Sequence, residues 1–354
     1  MRLRSILSQV ASFGLAGVLL YFSLRGVDFK EVGAALSTAN YWWLIPLGII
    51  AIVSHLLRAW RWRILLYELP VAPGAERSEI SLYSTFSALI IGYMANYAAP
   101  RIGEVVRSGL VARKERLNMG GVIGTVVVER VLDMAVLILA LGGAALMLID
   151  RLDTIRTLFI DPVTSQLDRL PFGILVTFAV LGLAGAIYFV WWWRRRSAYQ
   201  EGEGGRLRRT IGAFANGLQS LLRTRRRLAI LTSTILMWGC YAVMAHIPFL
   251  ILQMSGPFEI SLLDSWNIMA IGAIGVAIPA PGGTGSYHYI TIQTLVHLFG
   301  VTQAAAATYA VVTHAAQLVL YTVLGAAFLL HQGIKPGYLK KAQETAIDEN
   351  QANA

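Results

Sequence analysis

Six apolar runs recur along the sequence, at 5–24, 41–60, 120–149, 172–193, 228–254 and 304–331. Each is long enough to cross a hydrocarbon core about 30 Å thick as a helix. A water-soluble fold has no interior large enough for so many, so lipid is the expected solvent. The composition agrees: 56% of residues are hydrophobic and 14% charged, against about 45–50% and about 25% in soluble domains. No segment between the runs can bury a core of its own, so the 354 residues read as one all-α integral membrane protein. Met1-Arg-Leu-Arg resembles the start of a signal peptide. The apolar run behind it continues to Leu24 with no small-residue cleavage site after it, so it reads as a first span.

Two more apolar stretches, 80–111 and 262–298, are interrupted at 96–103 and 279–285 by proline, glycine and, in the first, charge. A helix does not pass unchanged through Pro-Gly-Gly-Thr-Gly, and backbone groups freed at membrane depth need protein or a watery cavity around them. Each stretch reads as a re-entrant broken hairpin, with two helices kinked at prolines as the alternative.

Loop charge tests that assignment, because basic loops stay cytoplasmic. With both stretches re-entrant, Arg2 and Arg4, then Arg58, Arg61 and Arg63, then Arg113, Lys114 and Arg116 fall on one side, together with the ten Arg and two Glu of 194–227 and the basic segment from Lys335 to Lys341. The mixed or weakly charged segments 25–40, 150–171 and the one after Met254 fall on the other. The net charge of +10 is thereby explained without nucleic acid as a partner. Both termini are expected in the cytoplasm, in a multi-pass protein of the inner (cell) membrane.

Residues 1–150 then read span, span, hairpin (80–112), span, and residues 151–334 repeat that order with inverted orientation, their hairpin at 262–298; a cytoplasmic tail follows at 335–354. Inverted repeats with paired broken segments are a feature of secondary transporters, whose sites lie at the breaks.

The first hairpin reads Asn96-Tyr-Ala-Ala-Pro-Arg101-Ile-Gly-Glu104-Val-Val-Arg107, with Arg101, Glu104 and Arg107 at intervals of three on one side of its return helix. The third full run adds Glu129, Arg130 and Asp133, which lie within about 100° of one another, and Glu129 falls about 13 Å into the bilayer. Six ionisable side chains facing lipid would cost about 15–20 kcal/mol. Three bases and three acids therefore predict an internal electroneutral network. It either lines a cavity for a charged group or only fastens hairpin to span. In the second hairpin Gly282, Gly283 and Gly285 allow a ligand to approach backbone amides at the N-terminal end of the returning half-helix, which suits an anion, and His288 lies just behind them. Glycines also serve tight helix packing, which is the other reading.

Other features carry less. Cys240, the single cysteine, lies in an apolar run, so no intramolecular disulfide or cysteine-based metal site is expected. His55, His246, His297 and His314 are scattered singly and read as packing histidines. Trp191–Trp193 before Arg194–Arg196 reads as an interfacial anchor. The stretch 206–227 reads as an amphipathic helix on an anionic surface.

Four segments, Arg58-Ala-Trp-Arg61-Trp62, Asn96 to Arg107 with its Pro-Arg-x-Gly-Glu-x-x-Arg core, Glu129-Arg130-Val-Leu-Asp133 and Pro281-Gly-Gly-Thr-Gly285, resemble the flippase-like transmembrane region of lysylphosphatidylglycerol synthases and its stand-alone relatives. The resemblance implies re-entrant hairpins and movement of a phospholipid, above all an aminoacylated anionic one, from the inner to the outer leaflet. Two departures stand out. His288 occupies a position where the family often has an acidic residue, and no aminoacyl-transferase domain is expected beside the membrane region.

The reading that follows is a lipid flippase or transporter that binds headgroups through Asn96, Arg101, Glu104, Arg107, Glu129, Arg130, Asp133, Gly282, Gly283, Gly285 and His288. No catalytic residue, metal or cofactor is expected, and no Gly-x-x-x-x-Gly-Lys motif is present for nucleotide. Membrane phospholipid is the expected partner, with a homodimer and a separate lipid-modifying enzyme as further ones. The alternatives are a membrane-embedded enzyme that modifies lipid headgroups and an accessory subunit of an envelope lipid pathway.

Overall fold

The computed structural model describes residues 2–70, 79–99, 101–157, 161, 188, 206–278 and 280–333. Apart from residue 188, the run at 172–193 with its tryptophans at 191–193, and the tail at 335–354, lie outside them. Among the described residues all regular structure is helical. The helices are α1 Arg2–Leu24, α2 Phe29–Ser37, α3 Leu44–Leu66, α4 Leu82–Ala98, α5 Ile102–Lys114, α6 Met119–Met147, α7 Leu152–Ile155, α8 Arg206–Arg223, α9 Arg227–Ile251, α10 Leu262–Ala277, α11 Ser286–Phe299 and α12 Gln303–His331. The chain divides into two compact units, Met1–Leu146 with Thr210–Ala354, and Met147–Arg209. In the second, a 3-10 turn at Ile149–Arg151 leads into α7, and Arg156 pairs with Asp161 at 3.3 Å.

Three helices of the first unit are long and apolar enough to cross a membrane, Tyr41–Leu66 (α3 with its leading 3-10 turn), α9 and α12. A fourth candidate is the pair Val10–Leu24 and Phe29–Ser37, bent by 85°. Several of these helices are apolar on the outside as well as the inside. Leu228, Leu231 and Ile235 on α9, and Val319, Val323 and Leu330 on α12, are all exposed, as are Val131, Met134, Ile138 and Leu139 on α6. A helix that is apolar on every face belongs in lipid.

Local chemistry sets the boundaries. Asp28 accepts from the Lys30 N–H and caps α2, an element that the mixed charge of its segment did not reveal. Ser261 and Asp264 form a reciprocal capping box at the start of α10. Thr302 caps α12, and Gly300, at φ 69°, ends α11 in the left-handed conformation that glycine tolerates.

α3 packs along α9 and α4, α4 along α12, α9 along α10, and α11 against α1 and α12. The largest apolar core joins α9, α11 and α12, where the rings of Phe249 and Tyr309 stack at 4.2 Å. A second core surrounds Trp62, with Leu66, Val111, Val122 and Val126.

Both broken stretches are helical hairpins, α4–α5 and α10–α11. Their arms touch backbone to backbone at small residues. A Cβ on Gly103 would stand 2.0 Å from the Gly92 carbonyl oxygen, and one on Gly275 would stand 2.7 Å from that of Ser286. The basic stretch after residue 206 forms α8, which from Thr210 onward is more than a surface helix. A Cβ on Gly217 would stand 2.2 Å from the Gly121 carbonyl oxygen and 2.7 Å from the Gly124 Cα, so α8 lies directly on the backbone of α6.

Candidate functional site

α3 remains helical to Leu66. Arg58 and Arg61, which the loop-charge argument assigned to a cytoplasmic connection, are therefore buried in the helix with Arg63 beyond them. Their spacing of three places both on one face, whereas Arg63 turns away to the Ile80 carbonyl oxygen and Glu79. Only Arg63 of the three serves the charge count at that end.

Around Arg58 and Arg61 the structure assembles a buried ionic cluster from three helices. Arg58 donates to Asp133, to the Tyr93 hydroxyl at 2.9 Å and to the Tyr241 hydroxyl at 3.3 Å. Arg61 donates to Asp133 at 2.7 Å and to Thr234 at 3.0 Å. From α5, Arg107 pairs with Glu129 at 2.9 Å, and Glu129 also lies 3.8 Å from Arg58 and 3.6 Å from Arg61. The Arg107 guanidinium stands over the Trp62 ring, 4.6 Å from its centre, and the Trp62 indole N–H donates to Thr125 at 3.0 Å. Glu129 is fully buried and Arg107 is 3% exposed.

The cluster differs from the electroneutral set of six expected from sequence. Three guanidiniums, Arg58, Arg61 and Arg107, face two carboxylates, Glu129 and Asp133, so one positive charge is left over inside. Among the described residues Arg107 Nη1 and Nη2, Arg58 Nε and Arg61 Nε have no hydrogen-bond partner although they are buried, and the two Glu129 carboxylate oxygens between them are held by ion pairing alone. Because guanidiniums outnumber carboxylates three to two, pairing within the cluster leaves donors that call for a further acceptor.

The other expected site residues are placed nearby or elsewhere. Glu104 and Arg130 form a separate pair at 2.6 Å, one helical turn from Arg107 and one residue from Glu129, and Arg130 is 47% exposed. The two rungs are reciprocal, acid on α5 to base on α6 and then base on α5 to acid on α6. Arg101 leaves the network altogether. It occupies the break at φ 62°, is exposed, and donates to the Ala277 carbonyl oxygen at 3.1 Å. Its departure follows from the break: intervals of three align side chains only inside a helix, and α5 begins one residue later. Asn96 is a brace, its side-chain oxygen accepting the Gly103 N–H at 2.7 Å across the turn.

The second hairpin's tip has no formal charge of its own. Gly282, Gly283 and Gly285 all have positive φ (59°, 76° and 83°). A Cβ on Gly282 would stand 2.3 Å from the Tyr97 ring of the first hairpin, and one on Gly285 would stand 2.3 Å from the Ala16 carbonyl oxygen of α1. With the Arg101–Ala277 bond, these contacts bring the two tips together. His288 and His314, the latter expected to be a packing residue, have ring centres 4.8 Å apart. Aromatic and imidazole rings run on from there, from His314 to Tyr97, to Tyr321 and to Tyr93 beside Arg58.

The sequence reading missed Arg58 and Arg61 as site residues, together with Tyr93, Tyr241 and Thr234 that hold them. The signal was present for the arginines, whose interval of three sits at the end of an apolar run. For the tyrosines nothing in the sequence marks the contact. Among the described residues no group of three or more His, Cys, Asp or Glu side chains is arranged to hold a metal ion.

The family model described as "Lysylphosphatidylglycerol synthase TM region" matches residues 9–325, which include both hairpins and every residue of the cluster. The chain belongs to this family. No curated protein shows a significant match, and no solved structure does. Membership makes the chain a membrane protein and gives it a lipid-related setting, and the apolar helices agree with both.

Proposed function

We propose that this family member is a lipid transporter, which carries the headgroup of an anionic or aminoacylated phospholipid between the leaflets of the cell membrane. One observation carries the reading. Within apolar helices, three buried guanidiniums face two carboxylates, and Arg107 keeps a free N–H group over the Trp62 ring. Uncompensated buried charge is expensive, and a phosphate is the membrane-borne group that matches both the surplus charge and the planar donors. In this reading both hairpins are re-entrant, the chain is an inverted repeat with cytoplasmic termini, and the meeting tips separate two access routes. Arg130 and Glu104 stand at the exposed edge of the site, where a headgroup first meets charge. The lipid leaves chemically unchanged, so the protein is a carrier; a second copy of the chain and a separate lipid-modifying enzyme are the partners this reading allows.

The test is leaflet exchange of headgroup-labelled anionic phospholipid in liposomes containing the purified protein. Exchange is expected with the native chain, and Arg107→Ala is expected to slow it at least about tenfold, as for loss of a charge-assisted hydrogen bond. A folded, monodisperse native protein that moves none of several lipids overturns the proposal. A new lipid species detected by mass spectrometry in the same vesicles would replace it with the headgroup-modifying enzyme.

A further inference from the structure

Beyond the arginine cluster, the second tip, the first tip and α12 meet at one place. The His288 ring is buried there, and its Nδ1 accepts the Gly285 N–H at 3.3 Å, which closes the first turn of α11 onto the tip. Nδ1 accepts only as an unprotonated lone pair, so the bond selects a neutral imidazole with its proton on Nε2. Beside it His314 Nε2 lies 3.2 Å from the Thr284 hydroxyl, which fastens the same tip to α12. Tyr97 of the first tip packs on the His314 ring, with centres 5.8 Å apart, while its own ring fills the space beside Gly282.

We propose that His288 and His314 form a proton-binding site that latches the two hairpin tips together, closed while both imidazoles are neutral and released when the pair takes up one proton. Protonation at His288 Nδ1 sets a donor against the Gly285 N–H and removes the bond that holds the turn. Among the described residues the charge that arrives meets no carboxylate to offset it. The titratable groups facing the pair are Tyr287 from α11 itself and Tyr97 from the first tip, and Arg101, also of the first tip, brings a further positive charge to the end of α10. From α1 the tip meets Ala16, Leu19, Leu20 and Ser23, and from α10 Gly275 and Val276, none of which titrates. A small local shift cannot relieve the clash, because Gly285 is packed against α1 and moves only by breaking those contacts. The proton is thus the ligand of this second site, and tip separation is its effect. The inference takes the carrier reading as its setting, where the latch would couple lipid movement to pH.

The experiment reads the latch directly. Amide hydrogen exchange of the segment around Gly285 is measured in lipid nanodiscs at about pH 8 and about pH 4.5, either side of the ordinary histidine range, and corrected for the intrinsic pH dependence of exchange. In the native chain protection is expected to fall roughly tenfold at the lower pH, as for a lost buried hydrogen bond with a donor clash added. His288→Asn keeps an acceptor at the Nδ1 position and takes no proton, and its protection is expected to be the same at both pH values. His288→Gln is the second non-titrating form if the first folds poorly. His314→Gln retains a partner for Thr284 and removes one of the two imidazoles that share the proton, so it is expected to move the midpoint of release to lower pH. An equal pH response in native and His288→Asn proteins overturns the site, and an unmoved midpoint in His314→Gln overturns the pair. Lipid exchange in parallel vesicles keeps the two readings apart. Exchange with a tip that ignores pH removes the latch and leaves the carrier, whereas a pH-sensitive tip without exchange does the reverse.

Discussion

The two hairpins solve one problem by different means. Each breaks inside an apolar stretch, and each brings its arms together at glycines, Gly92 with Gly103 in the first and Gly275 with the Ser286–Tyr287 backbone in the second. The first is then fixed by side chains. Asn96 braces its turn, and Glu104 and Arg107 tie its return helix to α6. The second is fixed by backbone conformation, with three glycines at positive φ, of which Gly282 is wedged against Tyr97 and Gly285 against α1. Side-chain fastening by charge leaves a positive potential among the buried helices. Backbone fastening leaves a neutral shape that one added charge can disturb.

Substitutions can break or sharpen this contrast. The largest effect is expected from Glu129→Gln, which leaves three buried guanidiniums facing Asp133 alone. Loss of one partner from a buried ionic cluster costs about 3–5 kcal/mol, and urea or thermal unfolding in detergent should show it. A stability close to native would mean that the surplus charge is already well solvated, and the first hairpin would lose its electrostatic character. Gly285→Ala tests the second hairpin. It adds a left-handed alanine and a Cβ 2.3 Å from the Ala16 carbonyl oxygen, for an expected loss of roughly 2–4 kcal/mol. This loss should be insensitive to salt. If Gly285→Ala is tolerated, the tip is held by something other than its backbone. The smallest effect belongs to Glu104→Gln at the exposed edge of the charged seam, where less than about 1 kcal/mol of stability is at stake. That difference should shrink as ionic strength rises, and a larger, salt-independent loss would place the pair with the buried cluster.

Much of the fold could be read in advance because hydrophobic length and Pro-Gly breaks are local signals. The runs at 5–24, 41–60, 120–149, 228–254 and 304–331 coincide with α1, α3, α6, α9 and α12 to within several residues, and both breaks fall where the helices stop. The site was legible only in part. Arg107, Glu129 and Asp133 were identified because charge in an apolar helix is conspicuous. Arg58 and Arg61 lie eight and five residues before the end of α3, and counting them as loop charge hid what their helical spacing implied. Arg101 shows the converse error, since its interval of three from Glu104 had meaning only if the helix already included it. The partners Tyr93, Tyr241 and Thr234 come from α4 and α9. Their meeting is a product of tertiary packing, which no spacing within one segment encodes.

The contact between α6 and α8 has a mechanical consequence. Where Gly121 and Gly124 meet Gly217, no side chain separates the two backbones, so nothing there can roll or slide as a bearing. From Thr210 onward α8 must therefore tilt with α6, and the two act as one stiff strut. Glu129 is five residues along that strut from Gly124, so a tilt imposed on α8 would reach the carboxylate that Arg107 holds.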